Sequence, residues 1–181
     1  MPESHKSRLI LVLGGARSGK SRYAQQLAER HWTRPVFLAT AEATDAEMAA
    51  RIARHRAARG ARWQCVEEPL DLAGGLARAA RLGDGVLLDC LTVWLGNILH
   101  NEGSTGVAAR QQALLAAIRA RTGDLIFVSN EVGLGLVPDY PLGREFRDLA
   151  GWLHQALAAE ADTVVFIAAG LPLPLKGAAD L

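Results

Sequence analysis

The stretch Leu9-Ile10-Leu11-Val12-Leu13-Gly14-Gly15-Ala16-Arg17-Ser18-Gly19-Lys20-Ser21-Arg22 decides how the rest of the chain is read. The apolar run Leu9 to Leu13 has the pattern of a strand buried on both faces. The turn after it has the spacing G-x-x-x-x-G-K-S and leads straight into a helical pattern that reaches Arg30. Strand, glycine loop and helix in that order build a cradle. Gly14 and Gly19 let the backbone turn so that successive N–H groups point into one concavity, at the positive end of a helix. Phosphate oxygens fit there, with Lys20 reaching the β- and γ-phosphates and the Ser21 hydroxyl offered to Mg²⁺. Gly14, Gly15, Ala16, Arg17, Ser18, Gly19, Lys20 and Ser21 are therefore expected to hold a nucleoside triphosphate. The motif does not say which base, or what is done with it.

Outward from the loop, buried strands alternate with helices. Strands are expected at Arg8 to Leu13, Pro35 to Thr40, Arg62 to Val66, Val86 to Asp89, Asp124 to Ser129 and Thr163 to Ala168. The first helix is expected from about Gly19 to His31. Thr44 and Glu47 form a capping box for a second, running to about Ala58 and stopped by Gly60. A third is expected over Leu70 to Arg81, closed by Gly83. Residues 91–121 read as helical with a turn at Asn101-Glu102-Gly103-Ser104. Leu142 to Glu160 carries Leu142, Phe146, Leu149, Leu153 and Leu157 on one stripe. The proline-studded tail Leu171 to Leu175 is confined to an edge or a loop. Such a pattern predicts an α/β fold, a mostly parallel sheet covered by helices on both faces. Ligands then bind beyond the carboxyl ends of the strands.

At 181 residues with half of them hydrophobic, the chain is expected to form one globular domain over residues 1–181, with a frayed polar tail at 1–7. Net charge is +1 with acids and bases interspersed, which argues against a nucleic-acid surface. No segment has the length of a membrane span, and the short apolar run after Lys6 and Arg8 leads into the loop and is not a signal peptide. The two cysteines, Cys65 and Cys90, lie in apolar runs and read as buried free thiols in a reducing, cytoplasmic compartment.

The strand tips carry the remaining candidates. Asp89 ends an apolar strand and is expected to hold Mg²⁺ opposite Ser21; the alternative is a cap for the helix that follows. Glu131, in Asn130-Glu131-Val132-Gly133, has three open roles: substrate contact, help to Mg²⁺, or general base. It could equally be a loop carboxylate bonded to nearby N–H groups. His55 lies on the capped helix with Arg51 four before it and Arg59 four after. Cations around an imidazole disfavour its protonated form, which leaves a nucleophile, and the same arginines could hold a phosphate attached to it. Taken alone, such a histidine is more often a solvated surface residue. His100 and His154 sit on helices with no evident cluster. Glu67 and Glu68 could accept from the N–H edge of guanine, a weak signal by itself.

Taken together, Gly14 to Arg22, Ala39-Thr40, Glu47 to Ile52, His55-Arg56, Trp63, Glu67-Glu68-Pro69, Leu88 to Thr92, Asn130 to Pro138 and Phe146-Arg147-Asp148 resemble the bifunctional adenosylcobinamide kinase/adenosylcobinamide-phosphate guanylyltransferase family of cobalamin biosynthesis. The resemblance runs from Leu9 to about Lys176. It departs mildly at Asp89, where some members look to have Glu, and in the extra prolines of the tail. It implies a P-loop, RecA-like fold, Mg²⁺, ATP and GTP as substrates, and a homotrimer. It implies guanylylation of His55 and a GTP site formed by Ala39, Thr40, Ala41, Arg56, Arg59 and Glu67. The acceptors implied are adenosylcobinamide and adenosylcobinamide phosphate. The small residues of Ala57-Ala58-Arg59-Gly60-Ala61 would let the His55 helix move when GTP binds. Two rival readings are a P-loop small-molecule kinase without nucleotidyl transfer and a non-enzymatic nucleotide-binding module.

Overall fold

Seven strands form a single sheet in the order β3-β2-β4-β5-β1-β6-β7. The computed structural model describes residues 7–42, 50, 53, 57 and 59–177. The strands are β1 (Leu9–Gly14), β2 (Pro35–Ala39), β3 (Gln64–Glu67), β4 (Gly85–Asp89), β5 (Asp124–Asn130), β6 (Thr163–Ala168) and β7 (Leu171–Lys176). Among the described residues the helices are α1 (Lys20–His31), α2 (Leu72–Ala79), α3 (Leu91–Arg119) and α4 (Pro141–Glu160). The first six strands pair in parallel and β7 folds back antiparallel on β6. The expected α/β architecture is therefore present. Residues 1–6 of the expected frayed tail, the Thr44–Glu47 capping box, His55 and Arg56 lie outside the described residues.

Side-chain alternation along β1 explains why both faces are covered. Leu9, Leu11 and Leu13 join a core with Leu72 and Leu76 of α2, Leu91, Trp94 and Leu95 of α3, and Leu153 and Leu157 of α4. Ile10 and Val12 point the other way, into a core with Ala24, Leu27 and Ala28 of α1 and with Trp32. A strand with no polar side chain on either face is stable only between two such layers.

Several boundaries differ from expectation for local reasons. The α2 helix starts at Leu72, not Leu70, because the N–H groups of Leu70 and Asp71 bond to Glu68 Oε1 at 3.1 and 2.8 Å. Asp71 then caps the helix, accepting from the Gly74 N–H at 3.2 Å. The turn expected near 101–104 is a kink within α3 at Gly103, with φ 69° and ψ −175°. The third strand starts two residues later and ends one residue later than the expected Arg62 to Val66. Cys65 is exposed, against expectation, because it sits on the short edge strand β3; Cys90 is buried as expected. The α4 stripe buries Leu153 and Leu157, but Leu142, in the first turn of the helix, is exposed. The tail does form the edge strand β7, with Leu171, Leu173 and Leu175 exposed.

Candidate functional site: the phosphate loop and the neighbouring strand tips

Parallel register brings the sequence candidates to one rim. Ala39 pairs with Glu67 on one side and Asp89 on the other, and Asp89 pairs with Val128. Gly14 pairs with Asn130 and with Ile167. The carboxyl ends of β3, β2, β4, β5, β1 and β6 thus present Glu67, Ala39, Asp89, Asn130, Gly14 and Ala168 along a single line. One strand, β5, separates the phosphate-loop strand from the Asp89 strand.

The loop itself is tightly held. The Ser18 N–H bonds Gly15 O at 3.2 Å, and the Gly170 N–H bonds Ser18 O at 2.8 Å. Gly19, the residue before α1, has φ 97°, a conformation that glycine takes without strain. A Cβ on Gly14 would come within 2.6 Å of both Ile167 O and Ser18 Oγ, so the loop closes against β6 only with glycine there. Lys20 is 8% exposed, and its Nζ donates to Gly15 O at 3.2 Å. Ser21 is half-buried in the first turn of α1, while Ala16 and Arg17 are exposed. Two polar atoms at this rim, Ser18 Oγ and Asn130 Oδ1, are buried with no hydrogen-bond partner among the described residues. Buried polar atoms at a loop of this kind are expected to meet a ligand or water.

Asp89 is half-buried at the tip of β4, and its peptide bond to Cys90 is cis. Burial pushes the Cys90 thiol up; the Asp89 carboxylate adds to this and the Lys20 ammonium opposes it. Lys20, at the start of α1, and Asp89, at the tip of β4, therefore both bear on Cys90. Ser21 and Asp89 offer a hydroxyl and a carboxylate, hard oxygen donors of the kind Mg²⁺ takes alongside phosphate oxygens. The residues present fit that ion.

Other candidates have partners of their own. The Thr40 hydroxyl donates to Cys90 O at 2.9 Å and accepts from the Cys90 N–H at 3.1 Å, and Asn97 Nδ2 donates to Thr40 O at 2.8 Å. Thr40 thus ties β2 to β4 through its side chain, and Ala41 follows half-buried. The Arg59 guanidinium lies 3.5 Å from the centroid of the Phe37 ring, which also meets Trp63 edge-on at 6.3 Å. Glu67 is exposed at the end of β3, whereas Glu68 is spent on α2 and on Arg78, 2.6 Å away. Burial raises the Glu68 carboxyl, and the hydrogen bonds from Arg78, Asp71 and Leu70 outweigh it and hold it below its ordinary range.

One cluster at the rim was not legible as a cluster. His154 is 6% exposed and its Nε2 lies 2.7 Å from Ser129 Oγ; its Nδ1 lies 3.7 Å from Glu131 Oε2. The signal was available in the spacing. His154 follows Ala150 by four and precedes Leu157 by three, which places it on the buried stripe of α4.

A family model described as cobinamide kinase / cobinamide phosphate guanyltransferase matches residues 10–175. The chain belongs to that family. The bifunctional adenosylcobalamin biosynthesis protein CobP of Pseudomonas aeruginosa is 50% identical over 167 residues, 92% of this chain and 96% of the relative. The bifunctional adenosylcobalamin biosynthesis protein CobU of Escherichia coli is 36% identical over 181 residues, 93% and 99% of the two chains. The cobinamide kinase/guanyltransferase family thus accounts for the whole ordered set of motifs, and its two activities make the chain a transferase acting with nucleotides. Among solved structures, the assembled ATPase EscN of the enteropathogenic Escherichia coli type III secretion system superposes with a TM-score of 0.55 at 10% identity. That match covers 90% of this chain and 43% of EscN, and it is a likeness of fold, consistent with the P-loop, RecA-like architecture expected from the sequence. No described helix is long and apolar enough to cross a membrane.

Proposed function

We propose that the chain phosphorylates adenosylcobinamide and then converts the product to adenosylcobinamide-GDP through a covalent His55–GMP intermediate. In the first reaction the γ-phosphoryl of ATP or GTP passes to the aminopropanol hydroxyl. Charge spreads over the transferring group, and the Lys20 ammonium and the N–H groups of the loop stabilise it from fixed positions. Ser21 and Asp89 are the residues that would hold Mg²⁺, which supplies further positive charge to the phosphates. In the second reaction the His55 imidazole attacks the α-phosphorus of GTP and pyrophosphate leaves. The phosphate of adenosylcobinamide phosphate then displaces histidine from the phosphoramidate, so the kinetics are ping-pong.

The observation that carries this reading is the rim itself: Lys20 folded over Gly15, with Asp89 beside the same Cys90, in a chain of the cobinamide kinase/guanyltransferase family. Arg56, Arg59 and Glu67 are assigned to the GTP site with Ala39, Thr40 and Ala41, and Glu67 accepts from the guanine N–H edge. A hinge in the small-residue stretch Ala57 to Ala61, where Gly60 has φ 77°, would let His55 reach the α-phosphorus. A homotrimer acting in the cytoplasm, each copy one domain over residues 1–181, with no nucleic-acid partner, completes the proposal.

The test uses GTP labelled at the α-phosphate. Wild-type protein retains acid-labile, base-stable label after denaturation and releases it to adenosylcobinamide phosphate; His55→Ala retains none. Label on the variant would overturn His55 as the nucleophile; γ-transfer by wild type with no covalent label would leave only the small-molecule kinase.

A further inference from the structure

Glu131 is the first residue past β5, the strand interposed between the phosphate loop and Asp89. Its N–H donates to Gly14 O at 3.0 Å, which pins it to the first residue of the loop. Its carboxylate is also fixed. Oε1 accepts from the Gly133 N–H at 2.5 Å, and Oε2 lies 3.7 Å from His154 Nδ1. Behind it, His154 Nε2 lies 2.7 Å from the fully buried Ser129 hydroxyl.

The direction of this chain of contacts follows from donor and acceptor chemistry. Burial lowers His154, against the pull of the Glu131 carboxylate, so the imidazole is neutral near pH 7 and carries one N–H. An ionised carboxylate only accepts, so the proton belongs on Nδ1, toward Glu131. Nε2 is then left to accept from the Ser129 hydroxyl. Serine, histidine and carboxylate in this order are also the parts of a hydrolase triad, but Ser129 is 0% exposed and no substrate can reach it. The arrangement works in the opposite sense: everything in it orients the carboxylate.

A carboxylate held in this way at the phosphate loop suits one task that the proposed kinase reaction leaves unassigned. We propose that Glu131 accepts the proton of the acceptor hydroxyl during phosphoryl transfer, and that His154 is the positioning residue that holds it there. This rests on the kinase half of the reading above. The hydroxyl oxygen forms a bond to the γ-phosphorus and its O–H bond breaks, the proton passing to a Glu131 oxygen. The bond from the γ-phosphorus to the bridging oxygen breaks, and its electron pair leaves on the nucleoside diphosphate. Val132, the next residue, lines a cleft of about 350 Å³ between α3 and α4 with Leu99, Pro138, Tyr140, Phe146 and Arg147. The cleft opens one residue from the one that carries the carboxylate.

The experiment exploits the two activities. Kinase turnover with adenosylcobinamide and covalent labelling from α-labelled GTP are measured on the same preparations. Glu131→Gln is expected to lower kinase kcat by roughly 10²–10⁴-fold, the range for a lost general base, with KM for adenosylcobinamide little changed and labelling retained. Glu131→Asp recovers part of that loss. At position 154 the two amides separate positioning from packing. Asn places its N–H₂ where Nδ1 was and keeps a donor for Glu131, while Gln reaches Ser129 and loses that donor. His154→Gln is therefore expected to lower kinase kcat by about tenfold and His154→Asn to recover most of it. The proposal is overturned if Glu131→Gln keeps wild-type kcat, if kinase and labelling fall together, or if Asn and Gln at 154 are equivalent. Absence of kinase activity in wild type would instead overturn the reading on which it rests.

Discussion

Two buried basic side chains, Lys20 and His154, show how differently single residues announce themselves. Lys20 is unmistakable because the spacing around it admits one geometry, and the structure buries it with its ammonium on Gly15 O. Lys20→Ala removes a charge aimed at the transferring phosphate and is expected to lower kinase kcat by about 10²–10³-fold, measured by γ-phosphate transfer at saturating nucleotide. The spacing of His154 on α4 announces its burial but not its role, since its partners Ser129 and Glu131 lie on and just past β5 and only tertiary packing brings them together. Its burial has a consequence for stability. As pH falls through the ordinary histidine value of 6.5, the unfolded imidazole takes up a proton while the folded one stays neutral to lower pH. The unfolded state then binds more protons, so stability drops on acidification below that value. The unfolding temperature is expected to fall between pH 7.5 and 5.5, and His154→Gln should flatten that fall in calorimetric scans.

At the scale of elements, most of the architecture could be read from apolar runs and punctuation, and the misplacements trace to side chains that take backbone partners. Glu68 claims the N–H groups of Leu70 and Asp71, and so delays α2. Neither propensity nor periodicity encodes such a competition. Thr40 is engaged in the same way, its hydroxyl bonded both ways to the Cys90 backbone, a tie that no sequence pattern announces. The kink in α3 was legible because a glycine in a polar turn cluster interrupts an otherwise helical run. Gly103 has φ 69° with nothing within 4 Å of an added Cβ, so the cost of Gly103→Ala is all backbone. That substitution is expected to destabilise by about 1–3 kcal/mol, read as a lower denaturant midpoint with an unchanged m-value.

For the whole molecule, the sheet order sets when the site can exist. The phosphate loop follows β1, one of the first elements of the chain, yet the neighbours of β1 are β5 and β6, among the last. The backbone tie from Gly170 to Ser18 reaches back further still. The loop's letters therefore leave the ribosome well before the strands that flank it, and the surface that would grip a triphosphate is assembled only after residue 170 has emerged. Between those two points a nascent chain carries the nucleotide signature without being able to use it.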